Sequence, residues 1–242
     1  MKKIAYIQMF ENEMTHPWYI ATRAKMTSTL LRFLKKDAKI LDAGCGTGGT
    51  IKFLSNEGFR NVIGVDNSPL ALKLAKKRAI KNLRLAVVDN LPFKDGTFDA
   101  VICLDVLYHR GVDPQKALLE FARVLKKEGV LYLQEPSYQW LRGSHDIAIE
   151  TARRFSLKTL KLLVDNCPFK IKKITHFNTL FFLLIFLKRF FETKNKKVSS
   201  DVGPVPPLLS KIFLLVLKTE GSLTNYLNLP FGLSIIVVCQ KK

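Results

Sequence analysis

The residues best placed to do chemistry stand in one short run, Asp42-Ala43-Gly44-Cys45-Gly46-Thr47-Gly48-Gly49. Glycine lets the backbone reach positive φ and lets a ligand lie directly against the main chain. An apolar stretch (Ile40, Leu41, Ala43) leads into the run, and a helical pattern (Ile51, Phe53, Leu54) leads out of it. That is the strand, turn and helix order of a nucleotide-type site. Asp66 closes the next apolar stretch, NVIGVD, and an acid there can accept both hydroxyls of a ribose. Gly44, Gly46 and Gly49, with Asp66 about 20 residues on, also satisfy the G-x-G-x-x-G dinucleotide fingerprint.

Asp42 separates the candidate ligands. A carboxylate two residues before the first glycine faces the turn where a pyrophosphate would rest on the helix N-terminus, and like charges repel strongly in a low-dielectric cleft. S-adenosylmethionine has no phosphate, and its ammonium and sulfonium are cationic. An acid suits it and can orient the loop that holds its amino-acid end. The D-x-G-x-G-x-G order from Asp42 to Gly48 resembles the first motif of class I S-adenosylmethionine-dependent methyltransferases, in particular their broad small-molecule, type 11 group. The resemblance spans residues 13–175 and the last strand. A nicotinamide-dependent oxidoreductase and an RNA methyltransferase stand as the alternatives.

The resemblance implies roles for residues that carry no signal alone. Tyr19 and Arg23, after Trp18, are similar to an aromatic-pair-then-arginine segment that binds the methionine carboxylate. Asp42, Gly44, Cys45 and Gly46 would form the cofactor turn, and Asp66 with Asn67 the ribose edge. Asp89-Asn90-Leu91 resembles the adenine-edge segment. The F-D-x-V-x-x-x-x-x-L-x-H order from Phe98 to His109 resembles the fourth motif, whose strand end at Leu104 and Asp105 faces the transferring methyl. Trp140, Ser144, His145, Asp146, Arg153 and Arg154 are similar to a pattern in the acceptor-binding wall. Tyr108, Trp140 and Arg154 are therefore the expected acceptor contacts. An oxygen or acidic-carbon acceptor needs a base titrating near neutrality, which histidine supplies; His109 and His145 are the candidates. The Asn-Pro-Pro-Tyr-like strings of amine methyltransferases are absent after the fourth strand, where LDVLYH stands instead.

Apolar stretches must hold these residues in place. Helical spacing predicts a helix over 17–33. Strands are expected at 61–66, 83–88, 98–104, 130–135 and 171–177, with helices from Pro69 to about residue 80, at 114–125 and from Ser156 to about residue 166. Lys126-Lys127-Glu128-Gly129 reads as a helix stop. Strands alternating with helices imply an α/β fold: a doubly wound, seven-stranded, mostly parallel sheet with helices on both faces. The run from Gly232 would be the last, antiparallel strand. The chain reads as one domain, 1–242, with residues 1–36 a helical segment over the cofactor cleft. Residues 178–230 are expected to form a helical cap inserted between the sixth and seventh strands. The cap's first apolar run, 180–187, is far shorter than the ~18 residues a membrane span needs.

Thirty-nine Lys and Arg against twenty Asp and Glu leave a net charge of +19, which a cationic cofactor does not explain. An anionic partner does: a phospholipid face, a nucleic acid or an acidic substrate. Cys45, Cys103, Cys167 and Cys239 form no C-x-x-C pair, so no metal or disulfide framework is expected and a reduced cytoplasmic setting is. The basic cap adds an expected peripheral contact with an anionic membrane surface. The acceptor is expected to be a small molecule or lipid, partly apolar. Calorimetry distinguishes the cofactor readings: S-adenosylhomocysteine binds and a nicotinamide dinucleotide does not. The reverse result would return the chain to the oxidoreductases.

Overall fold

The computed structural model of the protein describes residues 1, 3–143, 146, 149–191 and 205–242. Two helices, α1 (Lys3–Asn12) and α2 (Pro17–Leu30), precede an alternating series. This runs β1 (Lys39–Ala43), α3 (Gly49–Asn56), β2 (Asn61–Asp66), α4 (Pro69–Lys76), β3 (Leu83–Leu85), β4 (Phe98–Leu104), α5 (Pro114–Val124) and β5 (Leu125–Pro136). It continues through α6 (Leu157–Asp165) and β6 (Phe169–Phe177), then, among the described residues, the helices α7 (Thr179–Phe191) and α8 (Pro207–Leu223), and ends in β7 (Ser234–Lys241).

The strands form the expected seven-stranded sheet in the order β3-β2-β1-β4-β5-β7-β6, with β7 antiparallel between β5 and β6. Strands covered on both faces read as unbroken apolar runs, and their alternate residues feed two cores. Leu41 and Val101 face α5 and α6 through Leu118, Phe121 and Leu160. Ile40 and Ile102 face α2, α3 and α4 through Met26, Leu54 and Leu72. Local signals start the helices. Ser68 accepts the Ala71 amide ahead of Pro69, Asp113 accepts the Gln115 and Lys116 amides ahead of Pro114, and Ser156 and Thr159 form a reciprocal capping box. At one sheet edge β6 carries exposed Lys170 and Lys172, and at the other β3 is three residues long; both devices discourage edge pairing.

The structure departs from the expected elements in three places. α4 stops at Lys76 and the chain turns through Ala79 at φ 61. β3 stops at Leu85, and residues 86–89 leave the sheet to line the cleft described below. The expected helix stop at 126–129 is instead strand: β5 starts at Leu125 and absorbs the extra length in a register shift opposite Phe98 and Ala100, with Glu128 at φ 60.

Gly232 joins the α8 side of the chain to β7 at a point of close backbone approach. A Cβ there would lie 2.4 Å from the carbonyl oxygen of Phe177 and 2.9 Å from its carbonyl carbon. Neither atom belongs to a movable side chain, so Gly232→Ala must separate β6 from β7. The expected loss is about 2 kcal/mol or more, a fall in Tm of roughly 5 °C, read by scanning calorimetry.

Candidate active site

A cleft of about 810 Å³ opens at the carboxyl ends of β1, β2 and β4. Asp42, Gly44, Cys45, Gly46, Asp66, Asn67 and Asp89 line its inner end, and Leu104, Asp105, Tyr108 and His109 its middle. Tyr6, Met9 and Glu13 reach it from α1 and the turn after it, and Tyr19 and Arg23 from α2. Phe181, Leu184, Ile185, Phe213 and Leu217 from α7 and α8 close its outer end.

The glycine turn is built as its composition requires. Gly44, Gly46 and Gly48 have φ values of 83, 53 and 85. A Cβ on Gly44 would stand 2.3 Å from Cγ2 of Val106. The amides of Gly44 and Cys45 both donate to the Val65 carbonyl at 2.8 Å. Asp66 accepts the Gly46 amide on one oxygen and the Ser68 amide on the other, each at 2.9 Å. It thus holds the turn while facing the cleft. Burial raises its pKa, and these amides pull it back.

Glu13 is the main residue that sequence reasoning missed. Arg23 donates to its Oε2 at 2.5 Å, Arg78 donates to its Oε1 at 2.9 Å, and the Thr47 hydroxyl donates to Oε1 as well. A Cβ on Gly49 would lie 2.2 Å from Oε2, so this carboxylate rests on the first residue of α3. A dinucleotide's pyrophosphate would need that place, and the G-x-G-x-x-G alternative is incompatible with the corner as built. Glu13 precedes Arg23 by ten residues across a helix break, a spacing that marks no pair in sequence.

Asp42 is buried, and its Oδ2 has no hydrogen-bond partner. Burial lifts its pKa to about 7, against the pull of Arg23. Asp105 sits just past β4 at φ 56, and burial likewise lifts it to about 7. Glu135, at the end of β5, accepts the amides of Val106, Leu107 and Tyr108 at 3.1, 2.8 and 3.2 Å and so fixes the loop after β4.

Several expected site residues land elsewhere or behave differently. Asn90 and Leu91 do not line the cleft; Leu91 lies in the core and its amide donates to Glu120 at 2.7 Å. Trp140 lies outside the cleft, exposed, against Phe182 and Phe186. His109 lines the cleft, but burial lowers its pKa to about 4, making it a weak base. Arg154 lines the cleft and is held by Asp146 through Nε and Nη2 at 2.8 and 3.1 Å. Ser144 and His145 lie outside the described residues.

A family profile described as "Methyltransferase domain" matches residues 41–133. The ubiquinone/menaquinone biosynthesis C-methyltransferase of Campylobacter jejuni subsp. jejuni serotype O:23/36 (strain 81-176) is 34% identical over 234 residues, covering 92% of this chain and 87% of that protein. Two solved structures share the fold. A SAM-dependent methyltransferase from Archaeoglobus fulgidus has a TM-score of 0.58 at 19% identity, covering 91% of this chain and 93% of its own. Geranyl diphosphate C-methyltransferase from Streptomyces coelicolor A3(2), in complex with Mg2+, geranyl diphosphate and S-adenosyl-L-homocysteine, has a TM-score of 0.60 at 16% identity, covering 90% of this chain and 77% of its own.

The raised carboxyls set a pH dependence. A folded pKa above the unfolded one stabilises most below the unfolded value, and that contribution is lost as pH rises through the folded value. For Asp42 and Asp105 the loss falls between about 4 and about 7, so the ligand-free protein weakens across that window. Asp42→Asn flattens the decline, as followed by urea unfolding. A cationic ligand favours the ionised carboxylates, so its binding near pH 6.5 releases protons, visible as a binding heat that changes with the buffer's ionisation enthalpy.

Proposed function

The chain belongs to the class I S-adenosylmethionine-dependent methyltransferases, and from that membership we propose that it methylates an oxygen or acidic carbon of a small, partly apolar acceptor, lipid or quinone-like in character. The observation that carries this reading is the two-ended cleft: carboxylates and glycines at one end, Phe181, Leu184, Ile185, Phe213 and Leu217 at the other. The Campylobacter relative works, by its name, in ubiquinone/menaquinone biosynthesis, and the Streptomyces structure holds geranyl diphosphate; both support an apolar acceptor here.

The inner end suits S-adenosylmethionine. The unpartnered buried oxygen of Asp42 calls for a cation, and Gly44 and Gly46 both border the cleft. Arg23 and Arg78 together answer a single carboxylate, Glu13, leaving one positive charge beside the turn for the methionine carboxylate. Asp66 and Asn67 are assigned to the ribose, and Asp89 with the backbone of 86–88 to the adenine. When bound, the sulfonium supplies an electrophilic methyl for in-line displacement, and alignment rather than strong acid-base chemistry lowers the barrier.

The protein's own contributions follow from the middle of the cleft. Glu135 holds residues 106–108 still, so the strand-end residues Leu104 and Asp105 keep one position. Asp105, titrating near neutrality, takes the proton of the acceptor; His109, titrating far lower, positions the acceptor with Tyr108 and Arg154. Tyr6 and Met9 from α1 exclude water. An RNA acceptor is favoured by the net charge but would meet an apolar cleft mouth.

The reading is tested by methyl transfer from isotope-labelled S-adenosylmethionine to a panel of isoprenoid phenols, hydroquinones and polar controls. The expected result is transfer to the apolar phenolic members. Asp66→Ala should weaken S-adenosylhomocysteine about tenfold or more, and Asp105→Asn should lower kcat roughly 10²-fold and remove the limb of the pH profile near neutrality. Transfer to RNA alone, with steep salt dependence, would replace this acceptor class.

A further inference from the structure

The cap helices carry their leucines outward. On α7, Leu180, Leu183, Leu184 and Leu187 recur at i, i+3, i+4 and i+7, and each is more than half exposed. On α8, Leu208 (72% exposed), Ile212 and Leu215 (68%) make a second stripe, and Lys211 and Lys218 share its face. The inner face of α8 is fixed by buried Leu217, by Gly221 against Lys25 and Phe177, and by Glu220, which accepts the Thr179 amide at 2.9 Å. The outward leucines therefore follow from how the helix is anchored. Phe181 meets Phe213 edge to face at 4.6 Å and joins the two helices. Trp140, 57% exposed, borders α7 through Phe182 and Phe186.

Charge selects the occupant. Residues 178–230 contain seven Lys and Arg against three Asp and Glu. Among the described residues of α7 and α8 the sole acid is Glu220, which is buried. A second copy of this face would bring lysines against lysines, whereas an anionic bilayer offers phosphates for the lysines and acyl chains for the leucines. Tryptophan at the border suits the headgroup level. No described helix is long and apolar enough to cross a membrane, so the contact is a peripheral one.

We propose that the outer face of α7 and α8 seats on an anionic lipid bilayer, and that the acceptor enters the cleft from that bilayer at Leu184, which is both exposed and part of the cleft lining. The second clause rests on the apolar-acceptor reading above; the docking itself does not.

Co-sedimentation of the full chain with vesicles tests this at about 0.15 M salt, where lysine attraction still acts at short range. Vesicles of phosphatidylcholine alone are compared with vesicles containing one third phosphatidylglycerol. The protein is expected to partition onto the second and far less onto the first. Leu208→Ser with Leu215→Ser should lower partitioning about tenfold or more, and Lys211→Glu with Lys218→Glu should cost at least about fivefold per lysine. Both double variants should bind S-adenosylhomocysteine as the parent does, which reports an intact fold. Docking is overturned by equal binding to both vesicles, by no binding, by variants that bind like the parent, or by a dimer in sedimentation velocity that the leucine variants dissolve. Vesicle binding without S-adenosylhomocysteine binding would instead sink the methyl-transfer reading and leave docking standing.

Discussion

A carboxylate buried at the end of a strand must find donors or shed its charge, and the cleft is the sum of the ways its acids meet that demand. Asp66 takes two amides, Gly46 and Ser68, and in doing so ties the glycine turn to β2. Glu135 takes three and immobilises the loop after β4. Glu13 takes two guanidiniums and a hydroxyl, pinning the turn after α1 between α2 and α4. Burial also lifts Asp42, which has one oxygen unpartnered, and Asp105 toward neutrality. The first three build the walls, and the last two are what a cationic ligand and an acceptor proton would meet.

This division of labour separates the two ends of the cleft. Backbone amides are supplied by the fold itself, so Asp66 and Glu135 act wherever the βα turns form. The outer end depends on the insertion between β6 and β7, whose described helices add apolar surface to the cleft on one side and present it to the exterior on the other. A helix that buries only part of an apolar circumference has its remaining leucines uncovered. On α7 and α8 that uncovered remainder lies beside the cleft mouth.

Local chemistry was legible because it is local. Proline after Ser68 and Asp113, Ser156 as a cap and unbroken apolar runs located helices and strands to within a few residues. The mostly parallel sheet followed from the alternation of those elements. Misplaced boundaries share one cause. The expected turn at 126–129 became strand, and the expected strand at 86–88 left the sheet, because pairing partners rather than the residues' own preferences decide where a ladder ends.

By itself the sequence determined the turn, the acids that follow it and the fold that carries them, since glycine, proline and apolar spacing act on the chain within a few residues. Only the tertiary structure decided which acids are paired. It brought Glu13 between Arg23 and Arg78, put Trp140 on the outer surface, returned Leu91 to the core and drove His109 far below neutrality while lifting Asp105 toward it. Burial and partner distance set a group's protonation, and both are properties of the assembled molecule that no spacing along the chain encodes.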